Sequence, residues 1–398
     1  MLIKPLLRLI NWLNSEKSVM RVKYNLIISC LLCIMVFPTI AQQYRTVLPY
    51  RLVGGKMIVE MSMNGTIRSF IFDTGGQTAL TGELCEELGL NVTDSLVVTD
   101  VNSMRMAYPR VGIESLQPLD KKIHFKNVPA IKLSKPSPFE CFQVDGLIGS
   151  DMLVNMIVEI DGKAKTISLA SADTAPSISL RKMIPFKKAG MPIIALQAGA
   201  GNSVNCLFDT GYSGFFSLKN TDFDALKSTG AFTVLSEGYG GASMGVAGES
   251  AAATSYRVQL PLIIVSGAKF RNVSSETATP PLTLLGMKLL EYGKVTLDYV
   301  RSRFYFEAYE VENDLESKHY NLALRVKDGD LIVSTVWRAM KGLVEVGDRV
   351  TKINGQLVGK YDFCESIING IPELKAKKKT KLTIQTKDGE KVIVYEKE

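Results

Sequence analysis

The stretches FIFDTGGQTAL (residues 70–80) and CLFDTGYSGFF (residues 206–216) decide how this chain is read. In each, an apolar run ends in Asp-Thr-Gly, and Asp73 and Asp209 stand 136 positions apart. A carboxylate at the end of a buried strand is costly unless something compensates it. Two of them in the same local context suggest that each compensates, or exploits, the other.

The repetition extends outward from both motifs. MIVEMSMNGTIRSFIFDTGG (57–76) matches PIIALQAGAGNSVNCLFDTGY (192–212), each an apolar strand, a turn and a second strand ending in Asp-Thr-Gly. Asn64-Gly65 is a hairpin signal, and the Gly-rich run at 198–202 is a looser turn rather than a nucleotide loop. FKNV at 125 matches FRNV at 270. DGLIGSDMLVNMIVEIDGKAKTISLA (145–170) matches LTLLGMKLLEYGKVTLDYVRSRFYFEA (282–308), with Gly149 and Gly286 137 positions apart. After each glycine the pattern predicts a brief helix and two strands. Two homologous all-β halves are therefore expected over 46–180 and 181–311. The polar run Val311-Glu312-Asn313-Asp314 reads as a linker to a separable third section, 316–398. There, Asp-Gly turns separate apolar strands and YDFCESIINGI (361–371) reads as a short helix.

The net charge is +7, but residues 1–41 hold five basic groups and one acidic group, so the remainder is no nucleic-acid footprint. Those first residues have the plan of an export signal. Arg21 and Lys23 precede an apolar stretch at 25–37, Pro38 breaks it, and small residues end at Ala41. Met20 makes residues 1–19 a candidate mis-annotated start. The expectation is a protein of the bacterial periplasm or cell envelope, cleaved after Ala41, touching membrane only through this segment if it stays uncleaved. Cleavage leaves Cys85, Cys141, Cys206 and Cys364, with no CxxC pair that would suggest structural zinc. Either Cys85 pairs with Cys141 or the thiols are free and buried.

Elimination narrows the chemistry. His124 and His319 are the two histidines, and neither sits beside a nucleophile motif, which disfavours Ser-His-Asp, Cys-His and zinc mechanisms. No phosphate loop occurs, and no cofactor or metal is expected. What remains is a pair of carboxylates. If the halves pack about a pseudo-twofold axis, Asp73 and Asp209 meet and share a proton. One then activates water while the other donates to a carbonyl. Thr74 and Thr210 are placed to brace the two loops, and Gly75 and Gly211 to keep the carboxylates unobstructed.

Two hydrophobic-Asp-Thr-Gly motifs, each followed about 75 residues later by Leu147-Ile148-Gly149 or Leu284-Leu285-Gly286, resemble the aspartic peptidases. Over residues 50–310 the chain resembles a bilobal pepsin built from retropepsin-like halves. The resemblance implies a mainly β fold, Asp73 and Asp209 as the catalytic pair, and a protein or peptide substrate. Gly76 and Tyr212 depart from the Ser or Thr that pepsins carry after Asp-Thr-Gly. Family flaps would fall at 97–116, with Tyr108 facing substrate, and at 237–250. Gly238, Gly240, Gly241, Gly245 and Gly248 of the second stretch suit a mobile cover. GLVEVGDRVTKINGQ (342–356) resembles a PDZ domain, an α+β module that captures peptide C-termini. Its carboxylate loop would be Asn321 with Leu322, Ala323 and Leu324, Ala323 standing where the family has Gly. The competing reading is a non-catalytic peptide-binding envelope protein that keeps the cleft and the PDZ groove.

Overall fold

The computed structural model describes residues 43–397 apart from 101, 136, 173–178, 200, 242–243, 246–247, 280–281 and 376–378, and only the backbone of Pro138, Met244, Gly248 and Glu249. The export-signal expectation for 1–41 lies outside the described residues. The chain is mainly β, with two large sheets. Among the described residues no helix is long and apolar enough to cross a membrane.

The duplication seen in the sequence is a duplication of strand register. In the first half, strand Thr66–Asp73 pairs antiparallel with Lys56–Met63 through the Asn64-Gly65 turn. It also runs parallel to Gly146–Gly149, with Asp73 opposite Gly149. In the second half, Asn202–Asp209 pairs antiparallel with Ile193–Ala198 and parallel with Thr283–Gly286, Asp209 standing opposite Gly286. The distal glycines are required by a crossing of chain segments. A Cβ on Gly149 would lie 2.4 Å from the Gln77 carbonyl carbon, and one on Gly286 would lie 2.2 Å from the Gly214 carbonyl oxygen. The loop that follows each Asp-Thr-Gly passes directly over its glycine.

Alternation along these strands sorts side chains onto two faces. Phe70, Phe72 and Ile148 point into a large core shared with Phe208, Leu285, Phe304 and Phe306 of the second half. Ile71 and Leu147 leave the opposite face, the one that carries Asp73, and join a separate apolar cluster with Ile58, Ala79 and Tyr108. An antiparallel ribbon joins the halves: Met183–Pro185, Arg303–Ala308, Gly293–Asp298, Ile157–Asp161, Thr166–Ala170 and Arg45–Val53, in that order.

The C-terminal section has its own core of Leu322, Val326, Leu331, Val333, Val350, Leu382 and Ile384. Its helix, Phe363–Asn369, starts where the Asp362 side chain accepts from the Glu365 N–H at 2.8 Å. The section packs with the two halves, Tyr44–Glu398 forming one compact unit. The expected linker is strand Glu312–Asp314, paired parallel with Ala268–Glu276. Glu312 binds Lys269 at 2.7 Å and Arg271 at 3.0 Å, so its charges serve as a local staple rather than as a solvated spacer. Two further ties hold the section down. A disulfide joins Cys141 to Cys364, while Cys85 and Cys206 are free and buried. The expected alternative of a Cys85–Cys141 bridge is therefore wrong. Strand Asp330–Trp337 also adds to Thr233–Gly240 of the second half, with Gly238 opposite Trp337 and Gly240 opposite Thr335.

Candidate active site

Strand ends Asp73 and Asp209 converge, and the residues after them lock the convergence. The Thr74 N–H donates to the Thr210 hydroxyl at 3.0 Å, and the Thr210 N–H donates to the Thr74 hydroxyl at 3.1 Å. Each hydroxyl in turn donates across the junction, Thr74 to the Phe208 carbonyl and Thr210 to the Phe72 carbonyl, both at 2.8 Å. All four bonds are buried, and both threonines are almost wholly enclosed. Thr74 and Thr210, the residues expected to brace the loops, form a reciprocal network between the halves.

Thr74→Val removes one donor and one acceptor while leaving the Phe208 carbonyl and the Thr210 N–H unpaired. The expected loss is about 2–4 kcal/mol, since each orphaned buried group costs roughly 1–3 kcal/mol. Denaturant unfolding measures it, and an unchanged midpoint would show that the network contributes nothing net.

The glycines bring the carboxyls together. A Cβ on Gly75 would fall 2.5 Å from Asp209 Cγ, and one on Gly211 would fall 2.5 Å from Asp73 Oδ2. Each loop therefore lies flat against the opposite carboxyl, which no side chain would allow. The Gly75 N–H donates to Asp73 Oδ1 at 2.9 Å and the Gly211 N–H to Asp209 Oδ1 at 2.7 Å. Tyr212 adds a third amide, its N–H reaching Asp209 Oδ1 at 3.2 Å. At Gly76, a Cβ would stand 3.0 Å from Asp73 Oδ2, so the absence of a side chain there keeps that oxygen open.

Asp73 and Asp209 are half-buried and hydrogen-bonded to each other. Burial, and then the negative charge of Asp73, push the Asp209 carboxyl up to about 8, against an opposing pull from Lys56 and from the Gly211 N–H. Two carboxyls this close do not both ionise easily. Ser150 continues the support, its hydroxyl donating to the Thr74 carbonyl and lying 3.2 Å from the Tyr299 hydroxyl.

Two hairpins occupy the stretches where flaps were expected. The first runs over Val92–Thr99 and Arg105–Gln117. At its turn Asp100 Oδ1 accepts from the N–H groups of Asn102 at 2.8 Å and Met104 at 2.9 Å. The Ser103 hydroxyl donates to the Thr279 carbonyl, so this tip touches the second half. Tyr108 is not exposed at the tip. It is buried in the cluster of Ile71 and Leu147, on the face that carries Asp73.

The second hairpin, Thr233–Gly240 with Ala253–Val265, departs further from expectation. A Cβ on Gly238 would lie 2.6 Å from the Trp337 ring, and one on Gly240 would lie 2.1 Å from the Ser334 carbonyl oxygen. These two glycines make room for the C-terminal section rather than for motion. Trp337 in turn lies 4.0 Å beneath the Arg257 guanidinium, which also binds Glu276 at 2.7 Å. Leu322, Ala323 and Leu324, expected in a carboxylate loop, begin strand Leu322–Lys327 and pair with Asp330–Trp337.

Sequence reasoning missed Lys56, whose ammonium donates to the Gly211 carbonyl. Only its place after the Gly54-Gly55 turn marked it. Among the described residues no cluster of three or more His, Cys, Asp or Glu side chains is arranged to hold a metal ion. No family model matches this chain, and no curated protein is similar to it.

Proposed function

We propose that this protein is an exported aspartic-type endopeptidase made of two pepsin-like halves and a PDZ-like C-terminal domain. The observation that carries the reading is the Thr74–Thr210 network, which sets Asp73 and Asp209 in mutual hydrogen-bond contact. A structural protein has no use for two half-buried acids held against each other at a cost to Asp209.

In this mechanism water lies between the carboxyls. The ionised carboxylate takes a proton from water as its oxygen attacks the amide carbon, and the protonated carboxyl donates to the carbonyl oxygen. The resulting diol collapses when the carboxyl that took the water proton gives it to the nitrogen, which leaves as an amine, while one hydroxyl returns its proton to the other carboxylate and restores the singly protonated pair. The Cys141–Cys364 bridge supports the export part of the reading, because disulfides persist in oxidising compartments. The edge of Leu322–Lys327 opposite its partner strand faces helix Phe363–Asn369, an arrangement suited to adding a peptide C-terminus as a further strand.

The test is incubation of the full chain with a mixed peptide library across pH, with and without a statine-type transition-state mimic. Cleavage blocked by the mimic and indifferent to chelators is expected, and absence of cleavage at every pH would sink the reading. The pH–rate profile should be bell-shaped, because only the singly protonated pair is active. Its basic limb should fall near pH 8, where the proton raised by burial is lost. Stability follows the same group. The native state keeps a proton that the unfolded chain releases above the ordinary aspartate value of 3.8. This contribution is therefore full below that value and is lost as pH rises through about 8. Unfolding midpoints taken across this window should decline, and Asp209→Asn should flatten the decline.

A further inference from the structure

Lys56 is the first residue of strand Lys56–Met63, and the turn before it is tightly held. Gly54 and Gly55 have φ of +53° and +76°. A Cβ on Gly54 would come within 2.9 Å of the Phe142 ring and 3.3 Å of Ile368 Cα, and one on Gly55 within 2.9 Å of Ser213 Cβ. The turn is thus wedged between the C-terminal helix, the 138–142 segment and the loop after Asp209. From this support the Lys56 ammonium crosses to the second half and donates to the Gly211 carbonyl. The N–H of the same Gly211 holds Asp209 Oδ1.

The charge is partly buried and, among the described residues, has no carboxylate within ion-pair distance. Its electrostatic pull on Asp209 favours the ionised form. The duplication makes the placement one-sided. Ile58 pairs with Ile71 and Ile193 with Leu207, so the position matching Lys56 in the second half is Met191. The other titratable groups around the pair are Asp151, which holds Thr78, and the Tyr212 and Tyr299 phenols, both raised by burial and so neutral.

We propose that Lys56 is a positioning residue for the carboxyl pair: it pins the Gly211 loop and sets one positive charge against the single negative charge the pair carries. The proposal rests on the peptidase reading for its effect on rate, but not for its effect on the carboxyls. With the charge present, the pair loses its first proton readily, and the active singly protonated form extends to lower pH. Lys56→Met, which installs the side chain of the matching position, removes the charge. Both limbs of the kcat/KM profile then move to higher pH, by up to about one unit, the direction expected when a positive charge that favours the ionised form is lost. Lys56→Gln keeps a hydrogen-bond donor without the charge and should shift the limbs similarly. Lys56→Arg keeps the charge and should restore them.

The experiment pairs pH–rate profiles of the four proteins with carboxyl carbon NMR titrations of Asp73 and Asp209. Upward shifts of both readouts in Lys56→Met and Lys56→Gln, reversed in Lys56→Arg, support the proposal. Superimposable titrations in all four proteins overturn it, whatever the rates. If the wild type cleaves nothing but the titrations shift as described, the Lys56 coupling stands and the peptidase reading fails. If Lys56→Met does not fold, the Gln and Arg variants make the same comparison.

Discussion

Asp73→Asn and Asp209→Asn are each expected to abolish peptide hydrolysis, with a loss in kcat of at least about a thousandfold, because acid and base act as one unit and neither works alone. The geometry explains why neither half can substitute for the other. Each carboxyl is oriented by its own loop amide, Gly75 or Gly211, and lies against the glycine of the opposite loop. An Asn amide occupies nearly the same volume, so the Thr74–Thr210 network beneath it should survive and the fold should be retained. The amide, however, neither takes a proton from water nor shares one with its partner. Steady-state assays with a cleaved peptide, alongside near-UV circular dichroism, measure both halves of the expectation. Near-wild-type turnover in either variant would mean that the carboxyl pair is not the chemical centre.

The second large effect concerns the Cys141–Cys364 bridge. Replacing both cysteines with Ser should lower stability by about 3–4 kcal/mol, because the bridge closes a long loop and so restricts the unfolded chain. The sequence separation it spans is 223 residues. The effect reaches the site as well. The bridge anchors helix Phe363–Asn369, which abuts the Gly54 turn that carries Lys56. Without it the C-terminal section is held chiefly through Glu312–Asp314 and the pairing of Gly238–Gly240 with Thr335–Trp337. Removing residues 316–398 altogether should be worse. It strips Trp337 from beneath Arg257 and leaves strand Thr233–Gly240 paired on one side only, with an open edge at Gly238–Gly240 prone to association. Thermal unfolding of the double-Ser variant, and solubility of the truncated chain, test this. An unchanged unfolding midpoint and a soluble, monomeric truncation would show that the section is an appendage.

Much of this was legible in the residues because it is local or periodic. Phe70 and Phe72 alternate with Ile71 and Asp73, and a strand must send such neighbours to opposite faces. Asn64-Gly65 makes a hairpin wherever it joins two apolar runs, and the matched spacing from Asp-Thr-Gly to Gly149 and Gly286 announced the duplication and the pairing of Asp73 with Asp209. Those features depend on a few adjacent side chains. The remaining features depend on which distant segments meet. Connectivity among four scattered cysteines is not encoded by their spacing, and only packing brings Cys364 to Cys141. Gly238 and Gly240 read as flexible because a glycine's reason is invisible without the neighbour that fills its space, here Trp337 and Ser334. Glu312 read as a solvated linker because its partners Lys269 and Arg271 lie on another strand. Lys56 looked like any strand-end lysine until the second half placed the Gly211 carbonyl within its reach. Sequence pattern determined the strands, the turns and the paired acids, whereas the tertiary structure alone decided what holds the C-terminal section and which cation faces the carboxyls, since both arise from contacts between residues far apart in the chain.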